Sequence, residues 1–376
     1  MIELLDPAAR PPGWRAAVAC PENGPLSTVL GRLNLRQFDY GFPASLNTLR
    51  LAGRTLAPLS LLRGWAGLRA AQKKLDGILR DFRPGILISC TGKDHFAACR
   101  AARRAGLPSL WWVNDIISPE FFPWPVRAAF IRAARSHAAR VVVVSDYARR
   151  ALTAGGLDPA KVVVIHNGIS LEKYARTERG AVRGMIGASD TEPVIGLVGR
   201  LTPWKGQEFF LRLAEHWIAR GEPGKFVMIG EAFNEDQAFG ESLRRGIDEK
   251  RLSGRVFMVS FQADMAAILS DLDVFIHASL RPEPFGRVLV EAMAVGTPVI
   301  GARAGGVPEI IDHGETGLMA APGNLEDYAG ALRQLLRPGD YAAKLAMAGR
   351  EKVRQHFSIE RVAGTFDRLI AELTRG

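Results

Sequence analysis

Residues 273–303 read DVFIHASLRPEPFGRVLVEAMAVGTPVIGAR. The stretch opens on one apolar run, DVFIHAS, and closes on another, PVIGAR. Between them a Pro/Gly loop leads into apolar spacing that stops at Gly296, just before Pro298. Pro284 suits a helix start and Gly296 a helix end, so the stretch predicts strand, loop, helix, strand. Near-continuous apolar strands joined in this way belong to a parallel sheet buried on both faces.

The same alternation recurs along the chain. RAAVAC, PGILISC, SLWWVND, RVVVVSD and KVVVIHNG are strand candidates in the first half. VIGLVGR, KFVMIGE, RVFMVSF, DVFIHAS and PVIGAR are those of the second. Helical patterns such as GQEFFLRLAEHWIARG fall between them. Two sets of about five strands exceed one doubly wound sheet of ordinary size, which predicts an α/β chain of two Rossmann-like domains. The join falls near TERGAVRGMIGASDTEP, which lacks apolar periodicity. The expected domains are 1–178 and 179–357, with a closing amphipathic helix in 358–376 that packs back towards the first domain.

The chain has 376 residues, 47% hydrophobic and 23% charged, in the range of globular proteins. No stretch holds the roughly 20 apolar residues needed to span a bilayer. Cys20, Cys90 and Cys99 are too few for a disulfide framework or a zinc cluster, which suits a reducing cytoplasm. The net charge of +10 is uneven, +13 over residues 1–180 and −3 over the rest. That asymmetry predicts an anionic partner for the first half. Residues 40–75 carry Arg50, Arg54, Arg63, Arg69, Lys73 and Lys74, no acid, and interleaved Leu, Ala and Trp65. Such a segment reads either as an interfacial helix on an anionic membrane or as the solvated face of an ordinary helix. A nucleic-acid groove would want more aromatic residues for stacking, so no nucleic acid is expected.

Common catalytic signatures are missing. There is no GxGxxG, HExxH or GxSxG, and SCTGKD has Leu87 and Asp94 where a phosphate loop needs Gly and Ser/Thr. In open α/β sheets, however, ligands bind beyond the carboxyl ends of the strands. There VIGLVGR delivers Gly199 and Arg200, then Lys205. DVFIHAS delivers Ser279 and RPEPFG, and PVIGAR is followed by Gly305, Gly306 and Glu309. Glycines admit close backbone approach, while Arg and Lys supply charge for phosphate. With Pro284 opening the helix, Phe285, Gly286 and Arg287 offer N–H groups to an anion. Glu283 and Glu291 then bracket a phosphate-binding helix start, with hydroxyl-rich groups on either side, which describes a nucleotide sugar. His277, inside an apolar strand, reads as a satisfied core residue, and Asn167-Gly168 as a tight turn between the domains.

VGRLTPWKG, EPFGRVLVE, AMAVGTPVI and AGGVPEIIDHGETGLMAAPG, with VVVVSDYARRAL and VVVIHNGIS upstream, closely resemble the retaining glycosyltransferases of family 4. The resemblance runs from about Arg15 through most of the chain. It implies a GT-B fold, two Rossmann-like domains facing across a cleft, with the donor on the second and the acceptor on the first. Carried over by motif, Arg200 and Lys205 neutralise the donor diphosphate, helped by Phe285 and Gly286. Glu283 contacts the transferred sugar, Glu291 binds the ribose, and Gly199, Gly305, Gly306 and Glu309 shape the site. No metal and no other cofactor is expected, because Arg and Lys do that work. The expected reaction moves a sugar, with retention, to a polysaccharide, lipid-linked sugar or lipid. It would take place in the cytoplasm, with a peripheral position at the inner face of the membrane as the further expectation. A nucleotide-sugar isomerase or a non-catalytic sugar-nucleotide-binding protein is the alternative.

Two departures stand out. The family commonly has His-Asp where this chain has Asn114 and Asp115, and Asn cannot titrate near neutrality. Asp115 therefore reads either as the acceptor-side proton acceptor or as a cap on the following segment. Family members also begin with a strand and a glycine loop before the strand matching RAAVAC. MIELLDPAAR looks like the end of the helix that follows that loop, so the first domain is expected to lack its N-terminal strand.

Overall fold

The computed structural model describes residues 2–7, 9–20, 25–40, 58–175, 180–233 and 236–375. They fall into two units, Met1–His166 with Val362–Gly376, and Asn167–Arg361. These divisions stand beside the 178/179 and 357/358 boundaries expected from the sequence.

The first unit runs α1 (Ile2–Leu5), β1 (Ala17–Ala19), α2 (Pro25–Arg32), β2 (Arg36–Phe38), α3 (Pro58–Phe82) and β3 (Leu87–Ser89). It continues with α4 (Gly92–Arg104), β4 (Ser109–Val113), α5 (Trp124–His137), β5 (Arg140–Val143), α6 (Asp146–Ala154) and β6 (Val162–Val164). Strands β3-β4-β5-β6 form a parallel sheet in sequence order, while β1 and β2 pair in a separate two-stranded sheet. Val141, Val142 and Val143 of β5 are fully buried, which is why that strand reads as an unbroken apolar run.

The second unit runs α7 (Ala181–Ile186), β7 (Val194–Val198), α8 (Gln207–Ala219), β8 (Lys225–Ile229), α9 (Gln237–Glu249), β9 (Val256–Val259) and α10 (Met265–Ser270). Then come β10 (Val274–His277), α11 (Arg287–Val295), β11 (Val299–Ala302), α12 (Val307–Ile310), β12 (Leu318–Ala320), α13 (Leu325–Leu336) and α14 (Tyr341–His356). Its six strands form one parallel sheet, ordered β12-β11-β10-β7-β8-β9. The order reverses between β7 and β10, and the crevice at such a switch point is where this architecture binds ligands. Phe209, Phe210, Trp217, Phe226 and Tyr328 fill the core between the sheet and α8 and α13.

The closing helix α15 (Ile359–Thr374) begins in the second unit, and from Val362 its residues belong to the first. There Asp367 accepts from Trp14 Nε1 at 2.8 Å, and the Phe366 ring meets Trp112 edge-on at 5.1 Å.

Three elements differ from the sequence expectation. Strands β2 and β12, three residues each, were missed because RQF is mostly polar and LMA holds no β-branched residue, whereas the equally short β1, β3 and β6 sit in runs with Val or Ile. The GAVRGMI stretch, expected as an irregular join, holds helix α7. Its cap comes from Asp271, whose carboxylate accepts from the N–H groups of Gly180, Val182 and Arg183 at 2.7–2.9 Å. The buried Arg183 guanidinium reaches Asp273 at 2.5 Å. A cap supplied from some 90 residues away leaves no local trace in the sequence.

Of the basic segment 40–75, residues 41–57 lie outside the described residues. Further along α3, Ala71, Leu75 and Leu79 are buried against Ala97 and Ala101 of α4. The apolar face of that part is committed to the core, and Arg69, Lys73 and Lys74 face outwards. Among the described residues, no helix is long and apolar enough to cross a membrane. The three cysteines are free, with Cys20 and Cys99 buried.

Within the first unit His95 is buried, stacked on Trp111 at 4.7 Å and 5°, with Ser89 Oγ 2.6 Å from its Nδ1. Burial lowers its pKa to about 3. The unfolded chain would protonate it below about pH 6.5 while the folded one would not, so stability is lost as pH falls through that window. Going from pH 7 to 4.5 is expected to cost this unit about 3 kcal/mol through His95 alone. Urea unfolding at the two pH values, with His95→Gln as the flatter comparison, measures it.

Candidate active site

The site is assembled from loops that follow β7, β10 and β11. After β7 the chain passes Gly199 and Arg200 and makes a 3-10 turn, Pro203–Lys205, before α8. Gln207, fully buried at the start of α8, donates from Nε2 to the Arg200 carbonyl at 2.8 Å. The Arg200 side chain is exposed and has no partner among the described residues. On the other side of Gly199 the chain meets the end of β8. There a Cβ on Gly230 would stand 2.0 Å from the Gly199 carbonyl oxygen.

Gly206, at φ +80°, presses on the end of β10, where a Cβ would lie 2.0 Å from the Ala278 carbonyl oxygen. Leu280 N–H donates to the Trp204 carbonyl at 2.9 Å. This contact sets Lys205 beside Glu283. Lys205 Nζ bonds Glu283 Oε1 and lies 4.5 Å from the Trp204 ring centroid. Ser279 Oγ donates to the same oxygen at 2.8 Å, and His277 Nε2 is 3.3 Å from it. All three contacts converge on Oε1, while Oε2 takes no bond from the described residues. Burial alone would raise the Glu283 carboxyl, but His277 and Lys205 outweigh it and hold it well below the usual carboxylate range. Glu283 is thus an ionised, anchored acceptor with one oxygen uncommitted.

The loop after β11 closes on the same residue. Gly306 N–H donates to the Glu283 carbonyl at 2.9 Å. At Gly305, φ +63°, a Cβ would sit 2.2 Å from that carbonyl oxygen. Glu309 stands in α12, half-buried, its N–H bonded to the Gly306 carbonyl at 3.0 Å.

Helix α11 begins later than Pro284 suggests. Gly286, at φ +110°, is its N-cap, so the first turn starts at Arg287. A left-handed residue cannot continue a right-handed helix, which leaves Phe285 outside it. Phe285 is buried, packed edge-on against Phe357 at 5.6 Å. The positive end of the nine-residue helix therefore lies at Gly286 and the first-turn residues. Glu291 remains in the second turn as expected, buried, with Arg287 Nε donating to it at 2.8 Å.

The structure brings Gly199, Arg200, Lys205, Glu283, Gly286, Glu291, Gly305, Gly306 and Glu309 to the carboxyl ends of strands in one sheet. Asn114 and Asp115 belong to the other unit, following β4. Trp112 Nε1 donates to Asn114 Oδ1 at 3.2 Å. Asp115 is exposed, and the next helix starts only at Trp124, so Asp115 caps none. Sequence reasoning missed Gln207 and Gly230, and took His277 for a satisfied core residue. His277 is a core residue, but among the described residues its Nδ1 has no partner, and its Nε2 faces Glu283.

The family model described as Glycosyltransferase Family 4 matches residues 15–173, and that described as Glycosyl transferases group 1 matches 179–352. A curated relative, the D-inositol 3-phosphate glycosyltransferase of Mycobacterium tuberculosis, is 32% identical over 217 residues. That match covers 57% of this chain and 44% of the relative, so the chain spans less than half of its length. Among solved structures, Anabaena Alr3699/HepE, crystallised with UDP and glucose, aligns with TM-score 0.83 at 23% identity, covering 99% of this chain and 95% of that one. A glycosyltransferase from Rickettsia africae aligns with TM-score 0.76 at 19% identity, covering 94% and 88%. The two family models between them take in most of the described residues, and the fold is that of the aligned structures. The chain belongs to the family 4 glycosyltransferases, with the two Rossmann-like domains of the GT-B fold.

Proposed function

We propose that the protein transfers a sugar from a nucleotide-diphosphate sugar to a hydroxyl acceptor, with retention of anomeric configuration and without a metal. The observation that carries this is Arg200, an exposed cation without a partner among the described residues, at the rim where Lys205, Glu283 and the α11 start also stand. The difficult charge in such a transfer develops on the departing diphosphate, while the sugar becomes oxocarbenium-like. Fixed cations and helix-start N–H groups aimed at that diphosphate lower the barrier. Arg200 serves it first, and Lys205 joins by sharing its charge between diphosphate and Glu283. Glu283 Oε2 accepts from a hydroxyl of the sugar. Glu291 takes the ribose hydroxyls, exchanging its bond with Arg287 for them. Glu309 and the Gly305-Gly306 turn support the sugar end.

Retention rests on the family resemblance. The acceptor is a glycan, a lipid-linked sugar or a lipid, met through the first unit, where Asn114 and Asp115 are the acceptor-side candidates. A peripheral position on an anionic membrane through residues 40–75 belongs to the same proposal. The bound UDP of the aligned Anabaena structure makes uridine nucleotides the first donors to try.

The test is nucleotide release from UDP-, GDP- and ADP-sugars, with glycan and lipid acceptors, in the presence and absence of EDTA. Release from one donor, unchanged by EDTA, is expected. EDTA-sensitive release overturns the metal-free part. Binding without release overturns transfer itself and leaves a binding protein, and an isomerised donor would make it an isomerase.

A further inference from the structure

One buried group at the site is explained neither by the core nor by the functions assigned above. His277 ends β10 in the middle of the sheet, flanked by β11 and β7, 7% exposed. An apolar side chain would satisfy that position at no polar cost, yet an imidazole occupies it, its Nδ1 without a partner among the described residues. Its backbone is fixed, because the buried Tyr328 hydroxyl donates to the His277 carbonyl at 2.9 Å.

The hydrogen bonds place a proton on Nε2. Ser279 has one hydroxyl proton, which goes to Glu283 Oε1 at 2.8 Å. Ser279 Oγ, 3.2 Å from His277 Nε2, must then accept from it. Nε2 therefore carries a proton, shared between Ser279 Oγ and Glu283 Oε1, and Nδ1 is left without a partner among the described residues.

We propose that His277 is a positioning residue for Glu283. With Ser279 it fixes Oε1, so that Oε2 presents to the sugar of the donor. It also keeps that oxygen anchored when the donor diphosphate draws Lys205 away. Glu283 has three anchors in the free protein. Lys205 is the one that a bound anion competes for, and His277 and Ser279 are the two that it does not. The inference rests on the donor-site reading above and adds to it the element that sets the sugar contact.

Two variants separate positioning from general structure. His277→Leu removes the donor hydrogen and suits the apolar surroundings. His277→Gln keeps an N–H donor near the place of Nε2. Affinities for UDP and for UDP-glucose are measured side by side by calorimetry, together with thermal stability. In His277→Leu the melting temperature is expected to fall, because buried Glu283 loses a partner, while UDP affinity stays close to wild type and the advantage of UDP-glucose over UDP falls about tenfold or more. His277→Gln is expected to recover most of that advantage. An unchanged advantage in His277→Leu overturns the proposal. So does an equal loss for both ligands, which a merely structural role would give.

A second arm needs no donor. Nitrogen-15 spectra of imidazole-labelled protein, with the His277 signal identified by its loss in His277→Leu, are expected to show a proton on Nε2. Its Nε2 resonance should move in Glu283→Gln. An Nδ1–H tautomer, or no response to Glu283→Gln, overturns the proposal whatever the donor is. Should the wild-type protein bind neither UDP nor UDP-glucose while this arm succeeds, the uridine donor fails and the His277–Glu283 contact stands.

Discussion

Arg200→Ala is expected to lower kcat/KM for sugar transfer by about 10²–10³-fold, the loss seen when one preorganised donor to a developing oxyanion is removed. Its melting temperature should scarcely move. The side chain is exposed and has no partner among the described residues, so its removal breaks no contact that folding relies on. Its loop is held from the main chain, by Gln207 on the Arg200 carbonyl and by Leu201 N–H on the Glu231 carbonyl at 2.9 Å. Arg200→Lys should recover part of the rate, since it restores the charge but not the bidentate fork. Lys205→Ala is a less clean probe, because Lys205 also neutralises a buried carboxylate. That change is expected to lower stability and activity together. Steady-state kinetics with thermal denaturation on the three variants checks the pattern. An Arg200→Ala enzyme of near wild-type kcat/KM would remove Arg200 from diphosphate stabilisation.

The contrast between Arg200 and His277 shows what a single sequence can and cannot reveal. Arg200 was legible because it directly follows an apolar strand and a glycine, and strand ends in this architecture carry the ligand groups. Its lack of a carboxylate partner, which makes it effective, is a fact of three dimensions. His277 was hidden by its strand. An apolar run predicts burial, and a lone polar residue in it reads as tolerated. The meaning of His277 depends on Glu283, which returns to it only because the Pro-rich loop doubles back under Gly305 and Gly306. The helix start failed for a similar reason. Proline commonly opens a helix, which favoured Pro284, but Gly286 in the left-handed region makes Arg287 the first helical residue, three residues later. Likewise, apolar runs rich in Val and Ile announced both sheets, whereas β2 is polar RQF, β12 is LMA without a β-branched residue, and α7 owes its cap to a distant aspartate.

Gly305→Ala is the second change expected to have a large effect, and the reason lies in the backbone. Its Cβ would meet Glu283 main-chain atoms at 2.2, 2.5 and 3.0 Å, distances that no side-chain rearrangement can relieve. The loop carrying Glu283 would have to move, at an expected cost of about 2 kcal/mol or more in stability from overpacking and left-handed strain. Moving Glu283 by even part of an ångström changes where Oε2 meets the sugar, and a misplacement of about 1 Å can cost roughly 100-fold in rate. Gly286→Ala is the informative comparison. It too has positive φ, +110°, but its added Cβ would meet only side-chain carbons, at 3.3 Å and beyond. That variant should carry the conformational strain without driving Glu283 aside, and so lose less activity. Nucleoside diphosphate affinity in Gly305→Ala should fall less than nucleotide-sugar affinity, because the cations stay in place while the sugar acceptor shifts. Equal losses for the two ligands would mean that the Gly305 turn supports the whole donor and that Glu283 is not its particular charge.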